Sequence, residues 1–478
     1  MALGSNKAAL LAASGTGEDV HSIDQSIRFN DDDSPFMTRT PSGAGNRRTW
    51  SINCWVKLGN TPGDFTIWSV HTGYQSYAQI RSDGLEFVVG NGSSSNSLHK
   101  TNRVFRDSSA WYNFLFVFDS TNAIASERAK IYVNGQRETS FSTTGSWALN
   151  YDSNVNFTQA HYIGEQGTGG NHLDGYLADF VIIDGLALDP SSFGKTNDNG
   201  IWVPKDITGL TFGTNGVFID GRDASDLGDD ESGNGNDFTT SGLATHDQMA
   251  DTPTNNHAVM NVLDTNTTPD WTASNGNLDI SWNGPNYTNH LFSTLSIPPT
   301  GKWYFEFKFV SDSSQVLYYQ QLRIGLMRDD FNAAMVQTTY AGVNLTDSAT
   351  DPEIYLVLGN AGNSCQLSGM GNTIYNVGGS ISAGDVINFA RNGANLWVGK
   401  NGTYYNSGNP ATGSNPSLSD LQLKSYRANM HWTQTSASHG TAVVHAFFGA
   451  DKSIGSGTGF NNTVPSGFLA LNTTNLGS

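Results

Sequence analysis

Apolar residues along this chain recur mostly at every second position, the period of a half-buried β-strand. Thr49-Trp50-Ser51-Ile52-Asn53-Cys54-Trp55-Val56-Lys57-Leu58 alternates cleanly. Lys302-Trp303-Tyr304-Phe305-Glu306-Phe307-Lys308-Phe309-Val310 sets Trp303, Phe305, Phe307 and Phe309 on one face and Tyr304, Glu306 and Lys308 on the other. Residues Trp111–Asp119 are apolar at nearly every position, as in a strand covered on both faces. Asp174–Asp184 reads as another strand, closed by Gly185. Each half also holds a strand, an Asn-Gly pair and a second strand, at Asn134-Gly135 and at Asn401-Gly402. Both central positions of a two-residue hairpin turn need positive φ, which Asn tolerates and Gly adopts freely. The pattern predicts an all-β protein.

A length of 478 residues predicts two or three domains. Residues 1–20 read as a short N-terminal docking arm around Ala8–Ala13. Residues 21–200 and 266–478 are strand-rich. Residues 201–265 read as a connector, because turn formers dominate Asp220–Asp223, Asp229–Phe238 and Asp251–Asn256. The closing stretch Pro465–Leu471 reads as a final strand with a Pro-Gly entrance.

Composition agrees with strands and turns: glycine is abundant at 53, and charged residues are only 14%. The net charge of −18, with no basic block, argues against nucleic acid and against anionic membranes as partners. No apolar run reaches the roughly 18 residues needed to span a bilayer as a helix. The start, with only Lys7 before its apolar patch, is too weakly charged for a signal peptide. Two cysteines, Cys54 and Cys365, exclude a disulfide framework, and Cys54 reads as a buried free thiol.

The span Arg39–Gly185 resembles a laminin-G or concanavalin-A-like jelly roll. The likeness rests on Thr49–Lys57, the Ile131–Gln136 hairpin, Ile163-Gly164 and Asp174–Asp179. Ala178-Asp179 is a loose match to that superfamily's closing Gly-x-Ile-Asp-Glu strand. The second half resembles the SPRY sandwich at Gly301–Glu306, at Asn395-Leu396-Trp397 through Asn401-Gly402, at Ala446–Gly449 and at Pro465–Phe468. Two tandem concanavalin-like β-sandwiches joined by Asp-x-Ser-Gly-Asn-Gly-Asn and Asp-Thr-Pro-Thr-Asn-Asn motifs resemble virion proteins of tailed bacteriophages. The resemblance implies a structural or adhesive virion component, assembled in the host cytoplasm and released by lysis.

Chemistry in the sequence is sparse. Jelly-roll glycosidases aim paired carboxylates into one groove, most simply as Glu-x-Asp-x-Glu on a strand. No strand carries that pattern, so a binding protein is expected and not an enzyme. Glycan binding would use loop aromatics, and Tyr74, Tyr77, Trp147, Tyr318 and Tyr319 are the candidates. Asp229, Asp230, Asn234, Asn236 and Asp237 offer hard oxygens of the kind calcium takes. The competing reading is an Asx turn in which those side chains bond their own backbone. The expectation is a tail-fibre-like adhesin that recognises a host surface glycan or receptor, contacts other virion proteins through its arm and forms a homo-oligomer. The alternatives are a capsid-decoration or head-fibre protein and, less favoured, a polysaccharide-degrading enzyme.

Overall fold

The computed structural model describes residues 21–60, 63–71, 75–167, 169–264, 271–282, 289–312, 321–330, 353–358, 366–369, 372–376, 381–433 and 441–477. The proposed arm at residues 1–20 lies outside them. The chain divides after Asn256 into two units, each all-β and each built from antiparallel sheets.

In the first unit, one sheet runs in space as Gln136–Arg137, Ala129–Val133, Trp111–Asp119, Thr49–Leu58, Gly175–Asp184, Ser26–Phe29 and Gln248–Met249. Val217–Ile219 also pairs with Gly175–Asp184. The second sheet runs Phe141–Thr143, Asn96–Thr101, Gly84–Gly90, Ser76–Arg81, Phe65–Val70, His161–Ile163, Phe36–Arg39 and Thr239–Ser241. Trp50, Trp68, Phe87, Phe116 and Phe118 fill the space between the sheets with edge-on and stacked rings. Cys54 is buried in this core as a free thiol, and burial pushes its pKa up.

Trp111–Asp119 is apolar on both faces for a visible reason. Phe114, Phe116 and Phe118 face the main core, while Leu115 and Val117 face a second cluster with Val181, Ile183, Phe193, Ile207, Phe212 and Phe218. The segment after Gly185 therefore forms a second layer over the outer face of this sheet.

That layer corrects the connector reading. Residues 201–256 belong to the first unit and supply four strands: Trp202–Pro204, Val217–Ile219, Thr239–Ser241 and Gln248–Met249. Each is two or three residues long, too short to show a period in sequence. The Asp251–Asn256 motif is tied to the interior. Lys57 Nζ is fully buried 2.7 Å from Asp251 Oδ2 and donates to Asn256 Oδ1 at 2.8 Å. Trp111 Nε1 donates to Asp251 Oδ1 at 3.1 Å.

In the second unit, the described strands form a seven-stranded and a six-stranded sheet. The first runs Trp271–Ser274, Asp279–Trp282, Ala442–Phe447, Lys302–Asp312, Val386–Asn392, Asn395–Lys400 and Thr403–Tyr404. The other runs Asn289–Ile297, Tyr426–Thr433, Gln321–Arg328, Glu353–Leu358, Gln366–Gly369 and Asn372–Asn376. Phe305, Phe307, Phe309 and Phe389 are buried on the seven-stranded sheet, and Leu291, Ile324 and Met430 on its companion.

Pro465–Leu471 is not a strand as expected. It turns at Pro465–Phe468 and makes one parallel bridge, Trp303 to Leu469. Its role is to cover the outer face of the seven-stranded sheet, where Tyr304, Trp397, Phe447, Phe460 and Phe468 cluster. Glu306 is fully buried beneath this cover.

Candidate functional site

The Asn134-Gly135 turn is a hairpin turn with φ of 48° and 74°, pairing Val133 with Gln136. A groove of about 690 Å³ opens beside it. One side is the hairpin, with Tyr132, Gly135 and Arg137. The other is the segment Asp189–Lys205, which folds as a short 3-10 turn at Pro190–Ser192 and a two-stranded sheet of Gly194–Thr196 with Trp202–Pro204.

Trp202 joins the two sides. A Cβ at Gly135 would sit 2.4 Å from its ring, and one at Gly194 would sit 2.5 Å away, so glycine at both positions lets the indole lie against backbone. Its Nε1 donates to Asn113 Oδ1 at 3.1 Å, and Asn113 Nδ2 donates to Asn53 Oδ1 at 2.9 Å. This relay fixes the ring from within the sheet. The half-buried Tyr132 and Pro190 add apolar surface, and Arg137, Lys195, Lys205 and Asp189 add polar groups. An ordered aromatic ring with a few convergent polar groups is the chemistry of a sugar site, since a pyranose offers an apolar face and a ring of hydroxyls.

Of the aromatics expected from sequence, the two that are described, Trp147 and Tyr77, do not line this groove. Trp147 is a core residue, 3% exposed, whose Nε1 donates to Val89 O at 2.9 Å. Tyr77 lies half-buried on Ser76–Arg81; its hydroxyl donates to Glu86, and burial, then the Glu86 charge, push its pKa up to about 12. Tyr74, Tyr318 and Tyr319 fall outside the described residues.

The acidic loop behaves as a backbone staple. Both oxygens of buried Asp230 accept hydrogen bonds, from Phe218 N at 2.9 Å, Ser232 N at 3.0 Å, Ser232 Oγ at 2.8 Å and Asn236 N at 2.8 Å. Asn234 and Asn236 donate to the Gly216 carbonyl at 3.0 and 2.8 Å. Arg39 donates to Asn236 Oδ1, and Asp237 Oδ1 accepts from Asp230 N at 3.2 Å. Two loop carboxylates are raised in pKa, Asp229 by desolvation and then by Asp237, and Glu231 by the charge of Asp220 and then by desolvation. The arrangement is that of the Asx turn. Among the described residues, no group of three or more His, Cys, Asp or Glu is placed to hold a metal ion.

Burial pushes up the pKa of Asp174 and Asp179, two carboxyls of the first unit. Asp179 sits in a bulge of Gly175–Asp184 with φ of 45°, where that strand exchanges its partner from Ser26–Phe29 to Val217–Ile219. Burial first, then the charge of Asp220, push its pKa up to about 7, while Arg222 opposes them. A raised carboxyl pKa means the folded state binds a proton that the unfolded state has released. The stability penalty is thus absent below about pH 4, grows between about pH 4 and 7, and is complete above it. Asp179→Asn, whose amide tolerates the left-handed backbone, is expected to raise stability at pH 8 and to flatten its decline between pH 4 and 7. Urea unfolding across that range checks this, and an unchanged slope refutes it.

Residues 31–191 match the family model Laminin_G_3, the Concanavalin A-like lectin/glucanases superfamily. The first unit is laminin-G-like. No curated protein matches the chain. Among solved structures, the chain is similar to the SPRY domain of human HERC1, at 13% identity over 37% of this chain and 92% of that one, with a TM-score of 0.25. Mouse laminin alpha1 domains LG4-5 align at 8% identity over 89% of each chain, with a TM-score of 0.27. Domain 4 of AbnA, a GH43 extracellular arabinanase from Geobacillus stearothermophilus in complex with arabinotriose, aligns at 19% identity over 32% of this chain and 68% of that one, with a TM-score of 0.24. The laminin-G-like match ends at the groove: Tyr132, Arg137, Asp189 and Pro190 lie within it, whereas Lys195, Trp202 and Lys205 follow it. Sequence reasoning missed the groove because Trp202 falls in the supposed connector. Its one local signal is an aromatic residue just after Asn199-Gly200, a turn that pairs Asn197 with Ile201.

Proposed function

We propose that this protein is a glycan-binding adhesin carried on the virion of a tailed bacteriophage. The observation that carries the binding reading is the groove floored by Trp202, built on a lectin-type sandwich. The virion reading is supported by the pairing of two sandwiches with the Asp-x-Ser-Gly-Asn-Gly-Asn and Asp-Thr-Pro-Thr-Asn-Asn motifs. Display in many copies would raise a weak single-site affinity to a useful avidity.

The test is a glycan array probed with the purified full chain and with Trp202→Ala. The native protein is expected to bind defined sugars. The variant is expected to lose at least about tenfold in affinity, the scale of an aromatic anchor at the centre of an interface, with thermal unfolding showing that it still folds. Equal binding by both removes the groove from the mechanism. Imaging of intact particles tests the place of action: copies at the tail support host attachment, whereas copies spread over the capsid lattice make it a decoration protein.

A further inference from the structure

Lys57 stands in a row of cross-strand neighbours, with Tyr176 paired to it on one side and Trp111 on the other. Its Nζ lies 5.6 Å from the centre of the Tyr176 ring. The Asp251–Asn256 motif closes over this row. Thr252 and Asn255 exchange backbone hydrogen bonds as an antiparallel bridge, so Asp251 and Asn256 flank the turn opposite one another and both reach the same amine. Ser26 Oγ donates to the Asp251 carbonyl at 2.6 Å and holds the turn down. Asn256 Nδ2 donates outward to Ser109 O at 2.7 Å, which leaves Oδ1 turned toward Lys57.

Three groups thus converge: a primary amine, a carboxylate 2.7 Å from it and a carboxamide oxygen 2.8 Å from it. A plain ion pair needs only the first two. The carboxamide adds a carbon that an amine can attack, and the amine is held against it in one orientation. The side chains of Lys57 and Asp251 are fully buried, with Trp111 and Tyr176 as aromatic walls. A neutral carboxamide is a better electrophile than a carboxylate, whose charge repels the attacking lone pair, whereas the carboxylate is the better base.

We infer that Lys57 and Asn256 join in an intramolecular isopeptide bond, with Asp251 as acid and base. Passing a proton along their hydrogen bond turns the Lys57 ammonium into an amine and Asp251 into a carboxylic acid. The amine lone pair forms the Nζ–Cγ bond, and the carbonyl π pair moves onto Oδ1. Once that carbon is tetrahedral, Asp251 gives its proton to Nδ2 and takes another from Nζ. The carbonyl re-forms, the Cγ–Nδ2 bond breaks, and ammonia leaves past the half-buried Asn256. It carries off the proton as ammonium and returns Asp251 to its carboxylate. No oxidant or further reactant enters. The bond ties strand Thr49–Leu58 to the last residue of the first unit, and a covalent loop of that span restricts the unfolded chain. A chain that has not reacted keeps the ion pair, and the two forms differ in mass.

The test is the intact mass of the purified full chain, followed by peptide mapping under denaturing conditions. The native chain is expected to be lighter by one ammonia and to yield one branched peptide joining the Lys57 and Asn256 fragments. Asn256→Ala keeps the ion pair, and it is expected to fold, to show its full mass and to lose the branched peptide completely. A folded native chain that keeps its full mass after prolonged incubation overturns the inference. So does ammonia lost at an Asn-Gly pair as a succinimide, with Lys57 and Asn256 on separate peptides, or water lost in joining Lys57 to Asp251. The native mass and map decide without any variant, so misfolding of Asn256→Ala leaves the test intact.

Discussion

Replacing Asp251 with Ala is expected to destabilise the first unit by about 3–5 kcal/mol, the cost of leaving a buried charge without its partner. Lys57 is fully enclosed on its strand, and its Nζ meets Asp251 Oδ2 at 2.7 Å. Removing the carboxylate also takes the acceptor from Trp111 Nε1. The pair itself need not be strongly stabilising, because two charges were desolvated to make it. Lys57→Met combined with Asp251→Leu should therefore recover most of the loss. Hydrogen exchange in peptides covering Thr49–Leu58, measured across a urea series on the full chain, reads both effects. A single variant that loses less than about 1 kcal/mol, the value of a surface pair, would mean that Lys57 reaches water.

The second large effect belongs to Glu306. Its carboxylate accepts from the Tyr304 hydroxyl at 2.6 Å and from the backbone N–H groups of Asn461 and Asn462 at 2.7 and 2.9 Å. One side chain thus holds the C-terminal loop against the seven-stranded sheet. Glu306→Ala leaves these three donors, and the Asn461 side-chain amide that also donates to it at 3.3 Å, without this acceptor, at about 1–3 kcal/mol for each buried donor before relaxation. A total near 3–5 kcal/mol is expected, with the amides of Asn461 and Asn462 losing protection first. Glu306→Gln, which keeps an acceptor oxygen, should cost roughly half as much. Unchanged protection at those two amides would show that the loop is held by Phe460 and Phe468 alone.

Both positions illustrate what the primary structure makes visible. Asn134-Gly135 and Asn401-Gly402 announce their hairpins because the turn's backbone is a local demand, and both adopt positive φ. The two-faced apolarity of Trp111–Asp119 correctly signals cover on both sides. What supplies the cover is not local: Phe193, Ile207 and Phe212 arrive from strands and turns too short to show a period. Glu306 alternates like a solvated residue and is buried because a loop over 150 residues later returns to it. Trp147 reads as an exposed loop aromatic amid Gly145 and Ser146, yet Gly145 N bonds His99 and folds the loop inward. The groove shares this property, since Tyr132 and Trp202 meet only once the second layer has folded back.

The first unit also ends where it begins. Ile23 N donates to Thr254 Oγ1 at 3.1 Å, and that hydroxyl donates back to Ile23 O at 2.9 Å. The adjacent strands pair Ser26 with Met249. A module whose entry and exit are clasped together makes little demand on the spacing of whatever flanks it. Residues 21–256, which keep Asn256 against Lys57, should therefore behave as a transplantable cassette, acceptable in an exposed loop of an unrelated host protein and open to circular permutation through a short linker. Recombination could pass such a cassette between scaffolds intact, carrying its groove with it, whereas a cut at residue 191 would strand Lys195, Trp202 and Lys205 on the wrong side.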